Sequence, residues 1–163
     1  MKTNIIAIAA LAASITLAAA AEKIKAPNGG RIIDSVEPHA EFLIAADKKI
    51  EIRFLDDAGK VVAPAAQVVT VTMGDRANPT KLAFAKDGDK LVSDKTIPEG
   101  KELPVVVQIK TAPDAKSATA KFSLNLADCS SCEHKEYACT CAHGGEEKGH
   151  EGHDHKEGDG HKH

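Results

Sequence analysis

The chain has 163 residues, with 21 Lys+Arg against 24 Asp+Glu, no Trp, one Tyr and four Phe. That length suits one domain with an extension and excludes most large multidomain enzymes. The near-neutral charge leaves no basic footprint, so DNA and RNA binding are set aside.

Residues 1–21 read as a secretory signal. Lys2 supplies a positive start, residues 5–17 are apolar except for Ser14 and Thr16, and Ala18 to Ala21 offer small side chains for cleavage near Ala20 or Ala21. The apolar run is short for a spanning helix and ends in alanines, and no cysteine lies near the cleavage point for lipid attachment. The expected protein is exported to the periplasm, with no stable membrane insertion after cleavage.

Residues 22–126 form the expected body, with 16 Lys+Arg and 15 Asp+Glu. Apolar and polar residues alternate in short runs separated by turn chemistry, the pattern of half-buried strands. In chain order, strands are expected over 31–36 and 40–44. Ile50, Ile52 and Phe54 then share one face, followed by a turn over 56–60. Val69, Val71 and Met73 alternate with threonines, and Leu82 and Phe84 precede a turn at Asp87-Gly88-Asp89. Leu103, Val105, Val107 and Ile109 share a face, as do Phe122, Leu124 and Leu126. Seven or eight strands without an amphipathic helix predict an all-β fold, a small β-sandwich. Pro104 places the start of its strand at or just after a sheet edge.

Residues 127–163 have a different character. They hold all four cysteines, seven of the eight histidines and a net charge of −5. Residues 144–163 contain only Gly, His, Glu, Asp and Lys, so nothing there offsets the entropy of ordering the backbone, and a largely disordered tail is expected. The body is expected to end at Leu126 and to fold alone.

A solubilising tail needs charge rather than imidazole, which is mostly neutral at pH 7. His150, His153 and His155, and then His161 and His163, place two or three rings within reach of one ion. Glu151, Asp154 and Asp159 can complete the coordination of zinc, copper or, as a third candidate, nickel. Cys129-x-x-Cys132 and Cys139-x-Cys141, flanked by His134 and His143, form a second donor cluster suited to zinc or copper(I). The alternative for these cysteines is disulfides, which an oxidising compartment favours. Three connectivities exist, and the nested one joins Cys132 to Cys139 and Cys129 to Cys141. No βαβ pattern surrounds Cys129 and Cys132, so a thioredoxin-like role is not expected.

Residues 28–60 carry Asn28-Gly29-Gly30, Pro38-His39-Ala40-Glu41-Phe42 and Phe54-Leu55-Asp56-Asp57-Ala58-Gly59-Lys60. They resemble small periplasmic proteins associated with heavy-metal efflux and resistance, and also segments of the periplasmic adaptor subunits of metal-exporting pumps. The chain has Asn28 where that family often has histidine, and it lacks the long helical hairpin of a complete adaptor. The resemblance implies metal contacts at His39 and, with it, Glu41, and an efflux system in the envelope as a partner.

The body holds one histidine, no cysteine and no motif for a nucleophile elbow or a phosphate loop, so an enzyme is not expected. The expected function is an exported metal-binding protein that buffers, sequesters or delivers a transition metal through its Cys/His-rich segment. The alternative is a non-catalytic envelope interaction module with disulfide-bonded cysteines and a solubilising tail.

Overall fold

The computed structural model describes residues 24–141, and the expected signal segment lies outside them. Nine strands form: β1 Arg31–Ile33, β2 His39–Ile44, β3 Lys49–Leu55, β4 Val61–Val62, β5 Val68–Met73, β6 Thr80–Asp87, β7 Lys90–Thr96, β8 Glu102–Lys110 and β9 Ala118–Asn125. They are hydrogen-bonded in the order β1-β2-β3-β7-β6-β5-β8-β9, and β4 pairs with β3. Every pairing is antiparallel. The result is a sandwich-like sheet nearly closed into a barrel.

β6 turns the corner between the two layers. Its residues Thr80 to Ala83 pair with β5, while Phe84 to Asp87 pair with β7. The inward faces are the alternating positions that sequence periodicity picks out. Ile50, Ile52, Phe54, Val71, Met73, Leu82, Val105, Val107, Ile109 and Leu124 are all buried. Each such side chain contributes about 1.5–3 kcal/mol relative to exposure.

Two differences from the sequence expectation have local causes. β7 carries little periodicity because its second inward position is Ser93, which is buried. The register between β3 and β7 shifts between Lys49 and Glu51. There Ser93 Oγ accepts from the Ile50 amide at 3.0 Å and donates to the Lys95 carbonyl at 2.6 Å. A polar side chain thus satisfies a backbone group that the bulge leaves without its ladder partner. Pro104 marks no sheet edge, since β8 lies between β5 and β9. Pro104 pairs with Ser123 of β9, while pairing with β5 begins one residue later, at Val105 opposite Met73. Its carbonyl still accepts from the Gly74 amide at 3.0 Å.

Outside β3, a short charge ladder ties that strand to β7. Glu51 accepts from Lys90 at 2.5 Å and from Arg53 at 3.0 Å, and its side chain is 13% exposed. Burial pushes the Glu51 carboxyl up, but the hydrogen bonds and charges of Lys90 and Arg53 outweigh it and hold the group below its ordinary value.

A buried carboxylate lies across from Arg53 on the neighbouring strand. Glu41, on β2, is fully buried. Its Oε1 accepts from the amides of Asn28 and Gly30, each at 2.9 Å, and its Oε2 accepts from Asn28 Nδ2 at 2.8 Å. Gly30 must be glycine for this approach, because a Cβ there would lie 2.4 Å from the Phe42 carbonyl oxygen and 2.8 Å from Glu41 Cγ.

The fold also runs past Leu126, which is exposed. Beyond it the chain turns back over the barrel, and Tyr137 and Ala138 join the hydrophobic core cluster. The 3-10 turn Glu136–Ala138 touches both β1 and β9, the end strands of the sheet. The Tyr137 ring meets Phe42 edge-on at 6.0 Å, and Phe42 in turn meets Phe122 at 5.1 Å. Arg31 lies 4.7 Å over the Phe122 ring and donates to the Tyr137 carbonyl at 3.1 Å. A body cut at Leu126 would therefore lose the aromatic plug of its own seam, so the unit that folds includes the cysteine segment.

Two outcomes test this reading. Glu41→Gln puts an amide N–H₂ where three donors converge and is expected to destabilise the fold by about 2 kcal/mol in urea unfolding. Glu51→Gln should remove about 1 kcal/mol at pH 7. Because the folded Glu51 carboxyl is held low, its contribution is full above the unfolded value of about 4.3 and disappears as pH falls through the folded one. The difference between Glu51→Gln and the unchanged chain should therefore close in acid, read from unfolding midpoints across pH 7 to 3.

Candidate metal centre

The cysteine segment is built as a small hairpin. Asp128 and Lys135 form an isolated antiparallel bridge. The Cys129 amide donates to the His134 carbonyl, and the Glu136 amide to the Ala127 carbonyl, both at 2.9 Å. The loop between these rungs carries Cys132. The 3-10 turn then reverses the chain, with the Cys139 amide donating to the Glu136 carbonyl at 3.3 Å. This reversal returns Cys139 to the side of Cys129.

None of the four cysteines is joined in a disulfide. Their sulfurs lie within 4.8 Å of one another. Cys139 Sγ stands 3.2 Å from Cys129 Sγ and 3.6 Å from Cys132 Sγ. Sulfurs bound to one tetrahedral zinc at about 2.3 Å are about 3.8 Å apart, so the two shortest of these spacings are somewhat tighter than a tetrahedral site needs, and all four sulfurs are close enough to share one ion. The centre is asymmetric. Cys129 and Cys139 are buried, whereas Cys132 and Cys141 are half-buried, giving the cluster an inner and an outer pair.

Backbone amides point at the inner pair. The Cys141 amide donates to Cys139 Sγ at 3.3 Å, and the Ser131 amide to Cys129 Sγ at 3.5 Å. Such donors spread negative charge from a thiolate. The Cys141 amide draws the Cys139 thiol toward ionisation, but the hydrogen bond with Cys129, burial, and the thiols of Cys141 and Cys132 prevail, and it is pushed up to about 12. For Cys141, a hydrogen bond with Cys139 lowers the value, while Cys132, burial and the charge of its neighbours raise it. Raised in this way, the Cys139 and Cys141 thiols stay protonated unless a cation compensates the charge.

The remaining expected donors do not join this group. His134 is half-buried, and its Nδ1 lies on the Gly29 side, 3.6 Å from where a Gly29 Cβ would stand. It is not one of the ligand atoms gathered at the sulfurs. His39 opens β2 at the opposite end from Ile44, whose amide donates to the Tyr137 hydroxyl at 3.3 Å. Six strand residues separate those ends by roughly 17 Å. Around His39, Nε2 lies 3.6 Å from Glu37 and 4.0 Å from Asp57. Those three could hold an ion, but both acids are exposed, which is a common surface arrangement. Glu41, implied as a contact by the family resemblance, is occupied by Asn28 and Gly30 and is a structural carboxylate. His143, His150, His153, His155, His161 and His163 lie outside the described residues.

Tyr137 is the residue that sequence reasoning passes over. It is the only tyrosine in the chain and the only aromatic between the cysteine pairs, and that isolation was the available signal. Burial pushes its phenol up, opposed by the Ile44 amide and reinforced by the charge of Glu41.

No protein-family model matches the chain, and no curated protein or solved structure matches it significantly.

Proposed function

We propose that this is an exported, non-catalytic metal-binding protein that buffers, sequesters or delivers a soft transition ion, zinc or copper(I), held first at Cys129, Cys132, Cys139 and Cys141. The observation that carries the reading is the convergence of four sulfurs, none of them joined in a disulfide, on a hairpin anchored to the barrel. Sulfur-only donor sets select zinc and copper(I) over harder ions. The half-buried Cys132 and Cys141 form the face by which an ion enters and leaves, while Cys129 and Cys139 hold it from within. The histidines from His143 to His163 add lower-affinity imidazole capacity suited to zinc, copper and nickel. Export rests on Lys2, the apolar run over 5–17 and the alanines that follow it. The resemblance over residues 28–60 agrees with an efflux system of the envelope as the receiver of the ion.

Metal analysis of untagged protein, paired with thiol counting before and after chelation, tests the proposal. A chain ending at Cys141 keeps the Tyr137 plug and should retain one zinc or copper equivalent with four shielded thiols, while the full chain binds more. Absence of metal, together with thiols already oxidised, would instead favour the interaction-module reading. Replacing the inner pair should be the more damaging change. Cys129→Ser with Cys139→Ser is expected to weaken zinc more than about 100-fold, beyond the range for loss of a supporting contact. Equal weakening by Cys132→Ser with Cys141→Ser, read in chelator competition, would remove the distinction between the pairs.

A further inference from the structure

The geometry points to a second role for the thiol centre: we propose that it is a latch, in which an ion on the four sulfurs holds Tyr137 in the seam between β1 and β9, and its loss lets that seam open. This inference rests on the metal reading above. Tyr137 lies within the span closed by the ligands, between Cys132 and Cys139. The peptide that carries it is tied down by little regular structure, a single bridge between Asp128 and Lys135 and one short 3-10 turn. A segment with so few ladder bonds sits at the low end of local stability and undocks more readily than the strands beneath it.

The docked state is defined by named contacts. The Tyr137 hydroxyl accepts from the Ile44 amide at 3.3 Å, its carbonyl accepts from Arg31 at 3.1 Å, and its ring meets Phe42. Undocking would release all three at once, uncovering Phe42 and the half-buried Phe122. It would also leave β1, three residues long and paired only with β2, without its cover on the outer side. An ion joining Cys129, Cys132, Cys139 and Cys141 closes the loops on either side of Tyr137. It removes conformational freedom chiefly from the undocked peptide, since the docked one already has its sulfurs together. The ion thus binds the docked state better, and that difference in affinity shifts the equilibrium. By linkage, loosening the dock must weaken the ion by the same factor. Arg31 is the natural point of control, because it stacks on Phe122 of β9 and bonds to Tyr137 from β1. Cargo loading would then be reported to the barrel surface as a closed seam, and unloading as an exposed strand edge of the kind that other chains add to.

The chain has one tyrosine and no tryptophan, so its intrinsic fluorescence comes from Tyr137 alone. The reduced full chain is titrated with one equivalent of zinc while thiol shielding, acrylamide quenching of Tyr137 and amide exchange are followed in the same sample. Four thiols should become shielded and quenching should fall several-fold. Exchange at the Ile44 amide should slow about tenfold more than at the Asp56 amide, which bonds to the Lys60 carbonyl beside Leu55, the partner of His39 at the end of β2 away from Ile44. Arg31→Met, which keeps an apolar stem on Phe122, should raise the zinc dissociation constant by about fivefold to tenfold with the four thiols still shielded. Shielded thiols with unchanged quenching and Ile44 exchange would overturn the latch and leave the metal site standing. Unchanged zinc affinity in Arg31→Met would likewise overturn the coupling. Thiols that zinc does not shield would overturn both the latch and the metal reading.

Discussion

A sheet that curls without closing has two outer strands whose backbone groups and apolar faces need cover, and the rest of this protein is arranged around that need. Here the outer strands are β1 and β9. The element that bridges them is the cysteine hairpin, through Tyr137 and the 3-10 turn. Arg31 reinforces the closure, with one side of its guanidinium on the Phe122 ring and an N–H on the Tyr137 carbonyl. A donor-rich peptide is thereby made part of the core instead of an appendage. On the proposed reading, metal chemistry and fold integrity share one short stretch of chain, so a change in either would be felt by the other.

The two buried polar residues, Glu41 and Ser93, show how polar groups are accommodated in so aliphatic a protein. Glu41 is fully buried yet has three donors on its carboxylate. Taking any of those donors away would leave a buried charge uncompensated and strongly destabilise the fold. Ser93 serves the same end with a hydroxyl, mending the bulge between β3 and β7. These contacts also account for much of the family-like pattern over residues 28–60. Asn28-Gly29-Gly30 with Glu41 is a hydrogen-bonded clamp. Asp56 to Lys60 is a turn in which Asp56 Oδ1 accepts from the Ala58 and Lys60 amides. His39 alone keeps surface chemistry of its own, beside Glu37 and Asp57.

The thiol cluster applies the opposite logic. The neighbours of Cys139 and Cys141 push both thiols up and so oppose their ionisation, and a bound cation would be needed to hold them as thiolates. Placing Cys129 and Cys139 inside and Cys132 and Cys141 toward solvent gives such a site both a firm seat and an approach.

Much of this was legible in the residues themselves. Period-two alternation located most of the strands and the inward set Ile50, Ile52, Phe54, Val69, Val71, Met73, Val105, Val107 and Ile109, because alternation is a local consequence of strand geometry. The same reading gathered the four cysteines, flanked by His134 and His143, as a candidate donor set with disulfides as the alternative, and the fold brings the four sulfurs together. Tertiary structure decided the rest. β7 escaped periodicity because Ser93 answers a bulge that exists only once β3 lies beside it. Pro104 could sit in an interior strand because its pairing with β5 begins one residue later, a matter of register between distant segments. The sulfurs converge without His134 or His39 because the hairpin and the length of β2 separate those rings from them. Tyr137 looked like one aromatic in a polar tail, and only the gap between β1 and β9 made it part of the core, because a seam is created by the whole sheet and is written in no single stretch of the chain.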